Sequence, residues 1–105
     1  RGDWMNVLKD KVNDQETLII EMGDKFDFSK VEAFRSAYQD LDSDVKHITV
    51  DLAKTEYMDS SALGMLLNMQ KVLSQRSLTF SIENSRPPVE RILKISRFDK
   101  KFIIR

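Results

Sequence analysis

Ile48-Thr49-Val50-Asp51-Leu52, then Ala53 to Met58, then Asp59-Ser60-Ser61-Ala62-Leu63-Gly64-Met65-Leu66 and onward to Val72 or Leu73: this stretch decides how the chain is read. Ile48, Val50 and Leu52 alternate with Thr49 and Asp51. That period of two is a strand with one face buried. Ala53 to Met58 reads as a loop, and Asp59-Ser60-Ser61 supplies helix N-cap chemistry ahead of an apolar-rich run. A strand that passes through a loop into a helix is half of a crossover unit, and crossovers are how parallel strands are joined.

The same grammar extends in both directions. Upstream, Ser29-Lys30-Val31-Glu32 matches a capping box, and Val31, Phe34, Tyr38 and Leu41 follow at spacings of three and four. These predict a helix from about 29 to 41, ended by Asp42-Ser43-Asp44. Thr17 to Met22 is rich in β-formers, residues 4–12 are weakly strand-like, and Asn13-Asp14-Gln15 lies between them as a turn. Together they predict an N-terminal hairpin, broken by Gly23 and Asp24. Downstream, Leu78, Phe80 and Ile82 alternate as a further strand. Pro87 and Pro88 suit the first turn of a short helix, with Val89, Ile92 and Leu93 as its buried face. Phe102-Ile103-Ile104 either closes the sheet as a last strand or packs back on the core. The expected fold is therefore α/β, order ββαβαβα with that optional strand, a mixed sheet, and one domain over residues 1–105.

Composition removes several function classes. Seventeen basic residues balance seventeen acidic ones, whereas nucleic-acid binders usually carry a basic excess, so no direct nucleic-acid partner is expected. With no cysteine there is no disulfide framework, thiolate metal site or cysteine nucleophile. Apolar runs such as Leu18-Ile19-Ile20 are far short of the roughly 20 residues that span a bilayer, and Arg1-Gly2-Asp3-Trp4 has no signal-peptide pattern behind it. No membrane partner and a cytoplasmic location are the resulting expectations. Walker-type and dinucleotide glycine patterns and the Gly-x-Ser-x-Gly elbow are absent, so neither a cofactor nor a catalytic residue is expected.

Chemistry is concentrated at Asp59-Ser60-Ser61. A helix N-terminus offers free N–H groups and the positive end of the helix dipole, which favours a phosphate there. Capping is the plain alternative for all three residues. Asp24, Asp27 and Asp59 suggest Mg²⁺ to a suspicious eye, but turn and cap roles account for them. The helix behind the serines has two apolar stripes, Leu63, Leu66, Leu67 and Leu73 on one, and Ala62, Met65, Met69 and Val72 on the other. One-sided packing on a sheet needs only one stripe, so the second is read either as core or as a docking surface beside the switch. His47, the only histidine, stands at a strand start among charged residues and is expected to be solvated or at an edge; no metal site is expected from it.

Tyr57-Met58-Asp59-Ser60-Ser61-Ala62-Leu63-Gly64-Met65-Leu66 resembles the phosphorylation signature of STAS-domain anti-sigma factor antagonists, and Gly23-Asp24-Lys25-Phe26-Asp27 resembles that family's Gly-x-x-Asp loop with one extra residue. Phe26-Asp27-Phe28-Ser29 and Lys101 to Arg105 look closest to the single-domain regulators of Gram-negative bacteria. The resemblance implies a bacterial binding switch, not an enzyme. Ser61, or alternatively Ser60, is phosphorylated by a partner-switching serine kinase and dephosphorylated by a PP2C-like serine phosphatase. The unmodified form binds an anti-sigma factor or related regulator. The resemblance, with the second stripe, nominates Asp27, Asp59, Ser60, Ala62, Met65 and Met69 as partner-binding, with Ser60 as the N-cap if Ser61 is the acceptor. Other readings are a STAS module from a larger transporter, sensor or stressosome-like assembly, a small-ligand or nucleotide-binding STAS domain, and, remotely, a hydrolase using Ser61.

Overall fold

The computed structural model describes residues 4–105; Arg1 to Asp3, where the sequence carries no signal-peptide pattern, lie outside the described residues. In chain order the elements are β1 (Asn6–Val12), β2 (Gln15–Glu21), β3 (Lys25–Phe26), a 3-10 turn (Phe28–Lys30), α1 (Val31–Gln39), β4 (His47–Asp51), β5 (Tyr57–Met58), α2 (Ser60–Val72), β6 (Thr79–Glu83), α3 (Pro87–Ile95), a second 3-10 turn (Phe98–Lys100) and β7 (Ile103–Ile104). The hairpin, the crossover helices and the closing strand are as the sequence led one to expect.

The hairpin forms because Asn13 and Asp14 both adopt positive φ, 51° and 66°. Two such residues make the turn whose twist matches antiparallel strands, and Asn and Asp tolerate that region better than other side chains. Val12 then pairs with Gln15 and Asn6 with Glu21. Every later strand of the main sheet is added in parallel, in the spatial order β1-β2-β4-β6-β7. Three crossovers that advance in one direction with the same hand place α1, α2 and α3 on one face. Leu18, Ile20, Ile48, Val50, Phe80 and Ile82 are buried, and they alternate with Ile19, Thr49 and Ser81, which lie on the face without helices. Two aromatic groups complete the core: Phe34 lies 5.3 Å from Phe26 and 5.8 Å from Tyr38, and Phe102 lies 5.9 Å from Phe80.

Four expectations are corrected. Ser29 does not cap α1. The Asp27 carboxylate two residues earlier accepts both its N–H and its hydroxyl, caps the 3-10 turn, and leaves Lys30 at the start of α1 without a side-chain cap. The helix stops at Gln39, not 41. Ile92 is 37% exposed, so Val89 and Leu93 alone bury the face of α3. His47 is neither solvated nor at an edge: it opens the central strand β4 at 7% exposure. Its ring nitrogens meet the Thr79 and Ser81 hydroxyls, which replace water as partners.

That burial predicts a pH effect. Desolvation, helped by the Arg105 charge and opposed by Glu83, holds the His47 pKa below its ordinary 6.5. The unfolded chain therefore binds a proton more readily than the folded one. The stability conferred by a neutral His47 is complete above pH 6.5 and is lost as pH falls from there through the depressed folded value. Urea midpoints at pH 7.5 and 5.5 should diverge more for the wild type than for His47→Gln; equal divergence would remove His47 from the account.

Candidate functional site

The site is set by a two-residue parallel ladder outside the main sheet. Lys25 pairs with Tyr57 and Phe26 with Met58. The residues that follow, Asp27 and Asp59, are thereby brought side by side, and the Asp59 N–H reaches the Phe26 carbonyl at 3.4 Å. Below the ladder, the Asp24 carbonyl accepts from the N–H groups of Glu56 (2.8 Å) and Tyr57 (3.0 Å), and the Thr55 hydroxyl donates to the Gly23 carbonyl at 2.8 Å. The Gly23–Asp27 loop and the start of α2 are thus one unit. Phe26 and Met58 are buried and anchor it; neither two-residue strand was legible as more than loop in the sequence.

Asp59 is the N-cap of α2: its extended backbone (φ −108°) turns the chain, and its Oδ1 accepts from the Ala62 N–H at 3.1 Å. Ser60 is therefore not the cap. Ser60 and Ser61 occupy the first two helical positions, and among the described residues neither hydroxyl is engaged in a hydrogen bond. Ser60 is exposed and Ser61 half-buried. Removing the cap by Asp59→Ala is expected to cost about 1 kcal/mol of stability; a urea midpoint unchanged from wild type would show that another group holds the first turn.

Ser61 stands at the rim of a groove of about 320 Å³ between α1 and α2, together with Phe28, Val31, Phe34, Arg35, Tyr38, Gly64, Met65 and Asn68. Phe28 is 72% exposed beside it. A Cβ built on Gly64 meets nothing within 4 Å, so packing does not demand glycine there. Asp27 faces the site as an anion: its hydrogen bond from the Ser29 hydroxyl, with Lys30 and Lys25 nearby, holds its carboxyl below the usual range against the effect of burial.

The remaining nominated residues separate by burial. Met65 is 8% exposed and lines the groove, but Ala62 and Met69 have no exposed surface and belong to the core, where they touch no partner directly. The second apolar stripe is thus mostly core, and Leu67 and Val72 are the apolar residues of α2 left exposed. Phe28, Arg35 and Tyr38 were missed. Phe26 and Phe28 are two residues apart, and nothing in the sequence says which is buried. Asp24 carries a buried Oδ1 without a partner. Among the described residues no group of three His, Cys, Asp or Glu is arranged to hold a metal ion, and no helix is long and apolar enough to cross a membrane.

The chain has known relatives. The family model for "Mlab, STAS domain" matches residues 11–105. The chain belongs to the STAS-domain family. A STAS-domain containing protein of Pseudomonas aeruginosa (strain UCBPP-PA14) is 37% identical over 91 residues, 87% of this chain and 90% of that protein. An anti-sigma F factor antagonist of Paenibacillus polymyxa is 35% identical over 51 residues, 49% of this chain and 44% of that protein. Three solved STAS folds superpose well. An anti-sigma factor antagonist from Mycobacterium paratuberculosis gives a TM-score of 0.69 at 17% identity, covering 99% of this chain and 87% of the other. The Bacillus cell-fate determinant SpoIIAA in its phosphorylated form gives 0.66 at 20%, covering 95% and 91%. A sulfate transporter family protein from Wolinella succinogenes gives 0.71 at 13%, covering 80% and 69%. These likenesses establish the STAS fold; the resemblance to anti-sigma factor antagonists read from the serine motif has matching relatives.

Proposed function

We propose that this STAS domain is a phosphorylation-switched binding protein, an anti-sigma factor antagonist whose unmodified form holds its partner and whose phosphoserine form releases it. The observation that carries the reading is the freeing of both serines from capping by Asp59. A hydroxyl in the first helical turn, unbonded and beside a groove, is accessible to a kinase, and the phosphate it would carry sits at the favourable end of the helix dipole. Ser61 is the preferred acceptor because it borders the groove; Ser60 is the alternative. Phosphate brings close to two negative charges. Placed next to the Asp27 carboxylate it raises the cost of burying this surface, while the fold beneath is untouched.

The docking surface in this reading runs from Asp27 and Asp59 over Ser60 and Ser61 into the groove, with Phe28 as its exposed apolar anchor. The partners are an anti-sigma factor or serine kinase of the partner-switching type and a PP2C-like phosphatase, meeting the domain in the cytoplasm. In this reading the switch is carried by the one STAS domain that the chain provides, which performs no chemistry itself: the kinase brings the ATP site. Phosphopeptide mass spectrometry on the protein from its native cells tests this. Phosphate on Ser61 or Ser60 supports the switch and chooses the residue. A fully covered, unmodified peptide across growth phases and stresses would turn the reading to a constitutive docking module.

A further inference from the structure

Sheets made of parallel strands are normally covered on both faces. Here the face away from the helices is uncovered, and it forms a cleft of about 420 Å³ whose lining includes Ile19, His47, Thr49, Asp51, Glu83 and Arg105. Its floor is polar yet buried: Thr17, His47, Thr49 and Ser81 are all under a tenth exposed.

The direction of every hydrogen bond in that floor follows from one donor. The Ser81 hydroxyl lies 2.8 Å from Glu83 Oε2, which only accepts, so Ser81 donates there. Its two lone pairs are then filled by His47 Nε2–H at 2.8 Å and by the Thr49 hydroxyl at 3.1 Å. With Nε2 protonated, the neutral ring accepts at Nδ1 from the Thr79 hydroxyl. Thr17 donates to the Gln15 carbonyl. All the floor's hydroxyl protons point inward, and Thr49 and Thr79 turn only lone pairs to the cleft. Charge has the same sign as this preference. Arg105 is paired with Glu83 at 2.9 Å, which leaves Asp51 in excess; its Oδ1 takes the Ala53 N–H and the Asn84 amide, and its Oδ2 is uncommitted. Ile19 on β2 and Ile103 on β7 flank this floor on opposite sides as aliphatic edges. No set of three ligating residues in the described part of the chain suits a metal ion.

We propose that this cleft is a second binding site, separate from the serine switch, for an aliphatic ammonium or guanidinium group that donates to Asp51 and Thr49 and lays its methylene chain along Ile19, the neighbour of Thr49 on β2. Such a group comes from a free diamine or from a lysine or arginine side chain of a bound peptide; the recognition chemistry is the same.

Heteronuclear NMR of the isotope-labelled chain tests it. 1,4-Diaminobutane should move the amides of Thr49, Asp51, Ser81 and Glu83 saturably, while 1,4-butanediol at matched ionic strength leaves them in place. Asp51→Asn keeps the carbonyl oxygen that bonds Ala53 but loses the charge, and should weaken binding about tenfold, the effect of losing one charge-assisted hydrogen bond. Thr49→Val removes the second acceptor with little change of shape, and its spectrum reports its own folding. A blocked Gly-Lys-Gly peptide that binds more tightly than the diamine assigns the site to a partner's side chain; the reverse assigns it to a free amine, and either upholds the site. Unsaturable shifts, equal shifts with the diol, or indifference to Asp51→Asn would overturn it.

Discussion

Under the proposed switch, Ser61→Ala is expected to remain folded and to bind an anti-sigma factor constitutively, while Ser61→Asp loses affinity by at least a factor of about one hundred. The two substitutions differ little in the free protein. The Ser61 hydroxyl makes no hydrogen bond among the described residues, and its position in the first turn of α2 accepts alanine readily and aspartate favourably through the helix dipole. The difference arises in the complex. An unmatched carboxylate buried against a partner costs several kcal/mol, and each 1.4 kcal/mol is roughly tenfold in affinity. Asp27 adds like-charge repulsion from the adjoining loop. Isothermal titration of both variants with the cognate anti-sigma factor, beside urea curves for each, separates binding from folding. Equal affinities would end the charge mechanism, and an Asp variant that unfolds would relocate the effect to stability.

Phe34→Ala is expected to cost about 3–5 kcal/mol, a large part of the roughly 5–15 kcal/mol that stabilises a domain of this kind. Phe34 is 1% exposed and contacts both Phe26 and Tyr38. Removing its ring leaves a cavity that α1 and the buried β3 anchor share, so collapse on one side is resisted by the other. At about 4–8 °C per kcal/mol for a domain near this size, the melting temperature should fall by roughly 12 °C or more. Phe28→Ala is the matched control. Its ring is 72% exposed, so stability should hardly move while partner affinity falls if Phe28 anchors the docking surface. A Phe34→Ala melting curve within a few degrees of wild type would mean that the α1–α2 packing tolerates the void.

What the sequence disclosed, and what it withheld, divides along physical lines. The long elements were legible because periodic burial repeats a signal over many residues: Ile48, Val50 and Leu52 for β4, Val31, Phe34 and Tyr38 for α1. The order of the two serine-site motifs was legible as well. The β3–β5 ladder was not, since two residues cannot establish a period and its partners are remote in the chain. The cap of α1 was misassigned because Ser29 and Asp27 compete for the same turn, and the pattern of the capping box does not weigh a carboxylate two residues upstream. At α2 the local choice among Asp59, Ser60 and Ser61 was open; geometry settled it by giving Asp59 the Ala62 N–H. His47 was misplaced because its charged neighbours described the strand's entrance, while its hydroxyl partners lie on β6, 32 and 34 positions away. The buried methionines show a limit of another kind: two apolar stripes on one helix do not reveal which faces the sheet.

The spatial order of the main sheet, β1-β2-β4-β6-β7, rises monotonically with the order of synthesis. No strand has to be inserted between two that are already paired. The local hairpin is available first and on a microsecond scale, and each later strand meets an edge that is already built. The chain can therefore assemble as it leaves the ribosome, N-terminus first, with the growing sheet edge as its template at every stage. The serine-bearing turn would take shape once β5 has emerged to clasp β3, and the two-residue strand β7 would then seal the far edge of the sheet.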